Sequence, residues 1–102
     1  MDKDLASIQE ARDAVKAASE AWKIWGKASQ TDVDRVCAAM AEAGFNASDR
    51  LGRLAHEETG YGIAAHKKLK NEFGSKSVWE SIRDLKTVGV IRHDPDRRLY
   101  EI

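Results

Sequence analysis

His56-Glu57-Glu58-Thr59-Gly60 opens like the helix of a zinc protease. In that helix a second histidine four residues after the first turns both imidazoles toward one metal. Gly60 occupies that position, so the run reads instead as a solvated helix end. His66 falls on a basic helix and His93 in a turn, and their spacing gathers no set of imidazoles around a cation. Cys37 has the residue type of a nucleophile, but it lies between Val36 and Met40 on an apolar helix face. A thiol there acts as a small, inert hydrophobe. Gly60-Tyr61-Gly62 lacks the preceding strand and third glycine of a dinucleotide fingerprint, and a helix-to-helix turn accounts for it. Lys67, Lys68 and Lys70, near Phe73, could draw a phosphate or RNA, yet such lysines are ordinarily the wet face of a helix. The sequence therefore supplies no catalytic, cofactor-binding or metal-binding set of its own.

The elements that would position these residues are mostly helices. Ser7-Ile8-Gln9-Glu10 has the form of a capping box. Leu5, Ile8, Ala11, Val15, Ala18, Trp22 and Trp25 recur every three or four residues on one face, and Gly26 to Gln30 closes that helix. A lone helix has nothing against which to bury two tryptophans. A second helix is expected from near Thr31, with Asp34 three positions on and Val33, Val36, Cys37 and Met40 inward. Gly44 to Asn46 reads as a break, with Asn46 capping a third helix that carries Leu51, Leu54 and Ala55. Gly60 suits the left-handed position past its end. Ile63 to Phe73 predicts a short basic helix. Gly74 separates it from a fifth, capped by Ser77 and Glu80, with Trp79, Ile82 and Leu85 on one face. Thr87 to Ile91, the turn His93 to Arg97, and Leu99 to Ile102 then predict a β-hairpin. Ile102 stops in the middle of a strand pattern, and two strands alone make a marginal sheet. The expectation is a piece of a longer protein.

The chain has 102 residues, a third of them charged with balanced signs. That composition fits a globular fold rather than a disordered tail or polybasic arm. Residues 1–60 hold 8 basic and 11 acidic side chains and residues 61–102 hold 9 and 6, too small a swing to imply a polyanion partner. No apolar run is long enough for a bilayer, and the N-terminus has no secretory pattern. The single cysteine implies a reducing, cytoplasmic setting. Neither a nucleic-acid nor a membrane partner is expected.

Three runs taken together resemble the CoA-acylating aldehyde dehydrogenases: Ser29-Gln30-Thr31-Asp32-Val33-Asp34-Arg35 followed by Ala41-Glu42-Ala43; Ala55 to Gly62; and Lys67, Lys70-Asn71, Phe73 leading into Ile82 to Ile91. That group includes acetaldehyde, propionaldehyde, sulfoacetaldehyde and succinate-semialdehyde enzymes and the front half of the bifunctional aldehyde–alcohol dehydrogenase. Glu58-Thr59-Gly60 alone is common to the wider superfamily. With Tyr61-Gly62, Lys70-Asn71 and Lys86-Thr87-Val88-Gly89-Val90-Ile91 in order, it becomes specific. Ala65-His66 departs from the acidic pair common at that place. The resemblance implies an α+β, mainly helical partial domain, about five helices followed by a C-terminal β-hairpin. On it, residues 1–86 form the helical N-terminal part of a cofactor-binding domain and 87–102 the hairpin of an oligomerisation region. It implies NAD and CoA as cofactors of the full-length parent, with none bound by this segment alone, and a catalytic cysteine beyond it that Cys37 does not match. Lys70, Asn71 and Phe73 are placed near the substrate approach. Val88, Val90, Ile91, Leu99, Tyr100 and Ile102 are placed at an oligomer interface. The partners implied are the rest of the dehydrogenase chain and further copies in a homo-oligomer. The competing expectation is a standalone helical interaction module that uses the tryptophan stripe and the hairpin edge.

Overall fold

The computed structural model describes residues 2–102. Helix α1 spans Lys3–Trp25. Asp2 caps it, its carboxylate accepting the Asp4 amide at 2.8 Å, and Gly26 closes it by donating to the Trp22 and Ile24 carbonyls. The expected cap at Ser7 therefore does not form: Asp2 starts the helix earlier, and Ser7 lies inside it. Helix α2 spans Gln30–Asn46. Its capping box also forms two residues earlier than expected. The Ser29 hydroxyl accepts the Asp32 amide at 3.1 Å, and the Asp32 carboxylate accepts the Ser29 amide at 3.4 Å. Asp34 accepts instead from the Gln30 side-chain amide at 2.8 Å.

Gly44 does not break α2. The chain bends only at Ala47 (φ −91°, ψ 3°) before α3, Ser48–Thr59. Helical bonds run through the bend, from Ala47 N–H to Ala43 O and from Leu51 N–H to Ala47 O. Asn46 is thus the last residue of α2 and caps nothing. Gly60, at φ 70°, terminates α3 in the expected left-handed conformation. Helix α4, Ala64–Glu72, then continues through a wider π-helical turn, Phe73–Ser77, into α5, Val78–Ile82. Gly74 separates nothing, and Ser77 is helical (φ −66°, ψ −41°) rather than a cap. The widened turn has a local cause. The Ser75 hydroxyl donates to the Asn71 carbonyl at 2.7 Å and reaches the Glu72 carbonyl at 3.3 Å, competing with backbone donors.

The hairpin forms further along than expected. Strands β1, Arg92–Asp94, and β2, Leu99–Glu101, pair antiparallel in the register Arg92↔Glu101, His93↔Tyr100, Asp94↔Leu99. Thr87 to Val90 is not strand; only Ile91 extends the ladder, donating to the Glu101 carbonyl at 2.8 Å. Asp94 folds the turn by accepting the Arg97 amide at 3.2 Å, with Arg98 in the left-handed region at φ 54°.

Helices α2 to α5 and the π turn pack as one cluster, with α3 against α4 the most extensive pairing. No Cα of α1 comes within 8 Å of another helix or strand among the described residues. The molecule extends 52 × 35 × 26 Å with a radius of gyration of 18.4 Å, against about 13 Å for a compact chain of this length.

Candidate functional site

The close packing of the cluster rests on small residues spaced by four: Gly44, Ser48 and Gly52. A Cβ at Gly52 would lie 2.9 Å from the Lys68 nitrogen and 3.2 Å from the Ala64 oxygen, so backbone meets backbone there. A Cβ at Gly44 would lie 3.3 Å from the Ser75 Cβ. Between them Ser48 is buried, 4% exposed, and its carbonyl accepts the Asn71 side-chain amide at 3.1 Å. Only residues without bulk permit α4 to lie this close. The i, i+4, i+8 spacing was available in the sequence, where Gly44 reads more readily as a helix breaker.

This ridge fixes the place of the residues expected at a substrate approach. Lys70 and Asn71 line a shallow groove of about 270 Å³ with Gly44, Leu51, Gly74 and Ser75. Asn71 spends its amide donor on Ser48, and Ser75 its hydroxyl on the Asn71 carbonyl. Phe73 lies outside this groove, 66% exposed. The lysine cluster is not one site. Lys67 folds over Gly62, where a Cβ would lie 3.0 Å from the Lys67 Cε, and Lys68 pairs with Glu72 at 3.6 Å.

The histidines stay apart in role. The His56 Nδ1 lies 3.2 Å from the Tyr61 carbonyl and braces the turn after α3. His66 is exposed on α4. His93 stacks on Tyr100, ring centroids 4.1 Å apart and planes within 4°. Among the described residues no three His, Cys, Asp or Glu side chains gather as metal ligands. Cys37 is half-buried beside Met40, Ser75, Val78 and Trp79. Gly60 and Gly62 both take positive φ between two helices, and no strand precedes them among the described residues. They do not fit a pyrophosphate cradle.

The segment between α5 and the hairpin is held by one side chain. The Gln30 carbonyl oxygen accepts the Thr87 and Val88 amides at 2.8 and 3.0 Å, and its amide nitrogen donates to the Thr87 hydroxyl at 3.0 Å. Sequence reading counted Gln30 only with the stretch that closes the first helix; a contact across 57 residues leaves no local pattern. Beyond the tether Val88 is half-buried, whereas Val90, Ile91, Leu99, Tyr100 and Ile102 are exposed, Ile102 to 90%. Arg92 and Glu101 pair across the strands at 2.8 Å.

Much of the molecule's surface is open, and large apolar side chains are part of it. Among the described residues no hydrophobic side chain is fully buried, and the accessible surface is 8684 Å². A compact monomer of this mass exposes about 5,800 Å². The excess, about 2,900 Å², is the size of one side of a large permanent interface. No helix among the described residues is long and apolar enough to cross a membrane.

The comparisons with known proteins agree in direction. No family model matches the chain. It is 31% identical over 96 residues to the succinate-semialdehyde dehydrogenase (acetylating) of Clostridium kluyveri, covering 94% of this chain and 20% of that protein. It is 30% identical over 90 residues to the bifunctional aldehyde-alcohol dehydrogenase of Escherichia coli, covering 88% of this chain and 10% of that protein. The crystal structure of an acetylating aldehyde dehydrogenase from Geobacillus thermoglucosidasius superposes with a TM-score of 0.80 at 43% identity, covering 97% of this chain and 22% of that one. The chain thus spans about a fifth or less of the length of these relatives. A standalone interaction module is not favoured by these matches.

Proposed function

This chain matches the N-terminal region of the acylating aldehyde dehydrogenases, and on that premise we propose that it is the helical entry layer of such an enzyme, inactive by itself. The parent reaction on this reading is aldehyde, CoA and NAD to acyl-CoA and NADH in a cytoplasmic homo-oligomer. The observation that carries the reading is the uncovered surface. A layer in which no described hydrophobic side chain is fully buried, and whose surface exceeds that of a compact monomer by about 2,900 Å², is what one part of a larger fold leaves open, and the remaining four-fifths of a dehydrogenase would cover it.

Residues 1–86 then pack against the cofactor-binding domain, and 87–102 carry Val88, Val90, Ile91, Leu99, Tyr100 and Ile102 toward a partner subunit. Lys70, Asn71 and Phe73 lie on the side where substrate approaches. Asn71 acts there by holding α3 against α4 through Ser48, which leaves the Lys70 ammonium as the group able to meet an anionic substrate end. The glycine pair does not fit NAD, and no chemical step is assigned to these residues. The 102-residue chain incubated with acetaldehyde, CoA and NAD should form no NADH above the blank. CoA-dependent NADH formation by this chain alone would contradict the reading.

A further inference from the structure

The hairpin is an arm rather than a part of the packed cluster. Among the described residues no Cα of β1 or β2 comes within 8 Å of a helix. Among the same residues no hydrogen bond or ion pair runs from a helix to residues 89–102; those on the arm stay within it. The arm nevertheless starts beside one tight fastening. The Gln30 amide makes every hydrogen bond its chemistry allows, two accepted and two donated. Its oxygen accepts the Thr87 and Val88 amides, and its nitrogen donates to the Thr87 hydroxyl at 3.0 Å and to the Asp34 carboxylate at 2.8 Å. The base of this fastening is itself pinned, because Gln30 opens α2 directly after the Ser29–Asp32 capping box.

Asp34 gives the clasp its direction. A flipped Gln30 amide would set donor against donor at Thr87 and Val88 and oxygen against oxygen at Asp34. Asp34, one turn on and half-buried, therefore holds the orientation in which the clasp closes. One residue beyond the clasp stands Gly89, at φ 77°, where an added Cβ would meet nothing within 4 Å. Close packing does not demand glycine there; the left-handed backbone does.

We propose that residues 87–89 form an aiming joint. Gln30, oriented by Asp34, clamps Thr87 and Val88, and Gly89 turns the chain so that the hairpin leaves in one direction. Where the arm carries apolar side chains to a partner subunit, a fixed direction reduces the ordering cost of association. The joint rests on bonds within this chain and stands apart from the dehydrogenase reading.

Residual dipolar couplings of the 102-residue chain test it. In the wild type, the couplings of Arg92–Asp94 and Leu99–Glu101 should fit the same alignment frame as α2 to α5. Gln30→Ala should shrink the hairpin couplings roughly twofold or more as order is lost. The His93–Tyr100 ring contact should persist, and the couplings of α2 to α5 in the same sample report the helical cluster. Asp34→Ala should speed exchange of the Thr87 and Val88 amides about tenfold, whereas Asp34→Asn, which keeps an acceptor, should not. Gly89→Ala should change the hairpin's frame while those amides remain protected. Hairpin couplings that fit no common frame in the wild type, or that survive Gln30→Ala unchanged, would overturn the joint. So would loss of the ring contact in Gln30→Ala, because the clasp would then fold the hairpin rather than aim it. An unchanged exchange rate in Asp34→Ala would overturn the role of Asp34, and an unchanged frame in Gly89→Ala that of Gly89.

Discussion

Gly52→Ala should destabilise the helical cluster even though it adds a helix-favouring residue to a helix. The added Cβ would lie 2.9 Å from the Lys68 nitrogen, 3.2 Å from the Ala64 oxygen and 3.3 Å from the Lys67 carbonyl carbon. All three are backbone atoms of α4, so no side chain can swing aside. Relief requires moving α3 from α4 by about half an ångström, and overpacking of this kind costs about 1–3 kcal/mol. Replacing glycine within a helix returns about 1 kcal/mol, for a net loss of about 1 kcal/mol. Gly74→Ala supplies the matched control. A Cβ there meets nothing within 4 Å, so only the propensity term remains and the variant should gain up to about 1 kcal/mol. Urea unfolding followed by circular dichroism, at equal protein concentration, reads both. If Gly52→Ala proves as stable as Gly74→Ala, α3 and α4 do not cross at this distance and the small-residue ridge is wrong.

Three further outcomes follow from particular contacts. Gln30→Ala removes the acceptor of the Thr87 and Val88 amides; amide exchange at both should accelerate, with about 1–3 kcal/mol lost locally. Arg98→Gly relieves a left-handed residue at φ 54°, and should stabilise the hairpin by about 1 kcal/mol, read from the strength of the His93–Tyr100 ring contacts by NMR. The Asp32 carboxyl is held below the ordinary aspartate range, first by the Ser29 hydroxyl, then by the Ser29 amide, against a small opposing effect of burial, with Arg35 adding to the lowering. Its folded value lies below its unfolded one. The cap therefore contributes at pH above the ordinary aspartate value and is lost as pH falls through the depressed one. A carboxyl-carbon NMR titration should place the Asp32 midpoint below that value, and Ser29→Ala should raise it.

Helices and hairpin were legible because their signals are local. The period of Leu5 to Trp25, the glycine at 60 and the turn residues between His93 and Arg97 each act within a few residues. The caps were misplaced for a physical reason. Ser7 and Asn46 have the right chemistry, but Asp2 and the continuous hydrogen bonds through Ala47 act first. The shift of the hairpin follows from its register: with Arg92 opposite Glu101, residues 87–90 have no strand residue opposite them up to Ile102, and Gln30 takes the Thr87 and Val88 amides instead. Lys70, Asn71 and Phe73 were expected at a substrate approach from resemblance alone, and the structure gives Asn71 a partner, the Ser48 carbonyl, that no short-range pattern shows.

The most direct test of the central claim is a chimera in which this chain replaces the matching N-terminal region of the Geobacillus thermoglucosidasius enzyme, with which it shares 43% identity. The account predicts a soluble oligomer that forms NADH from acetaldehyde only when CoA is present, at a rate within about tenfold of the parent (about 1.4 kcal/mol). A chimera that folds and assembles but shows no CoA-dependent NADH formation would contradict it.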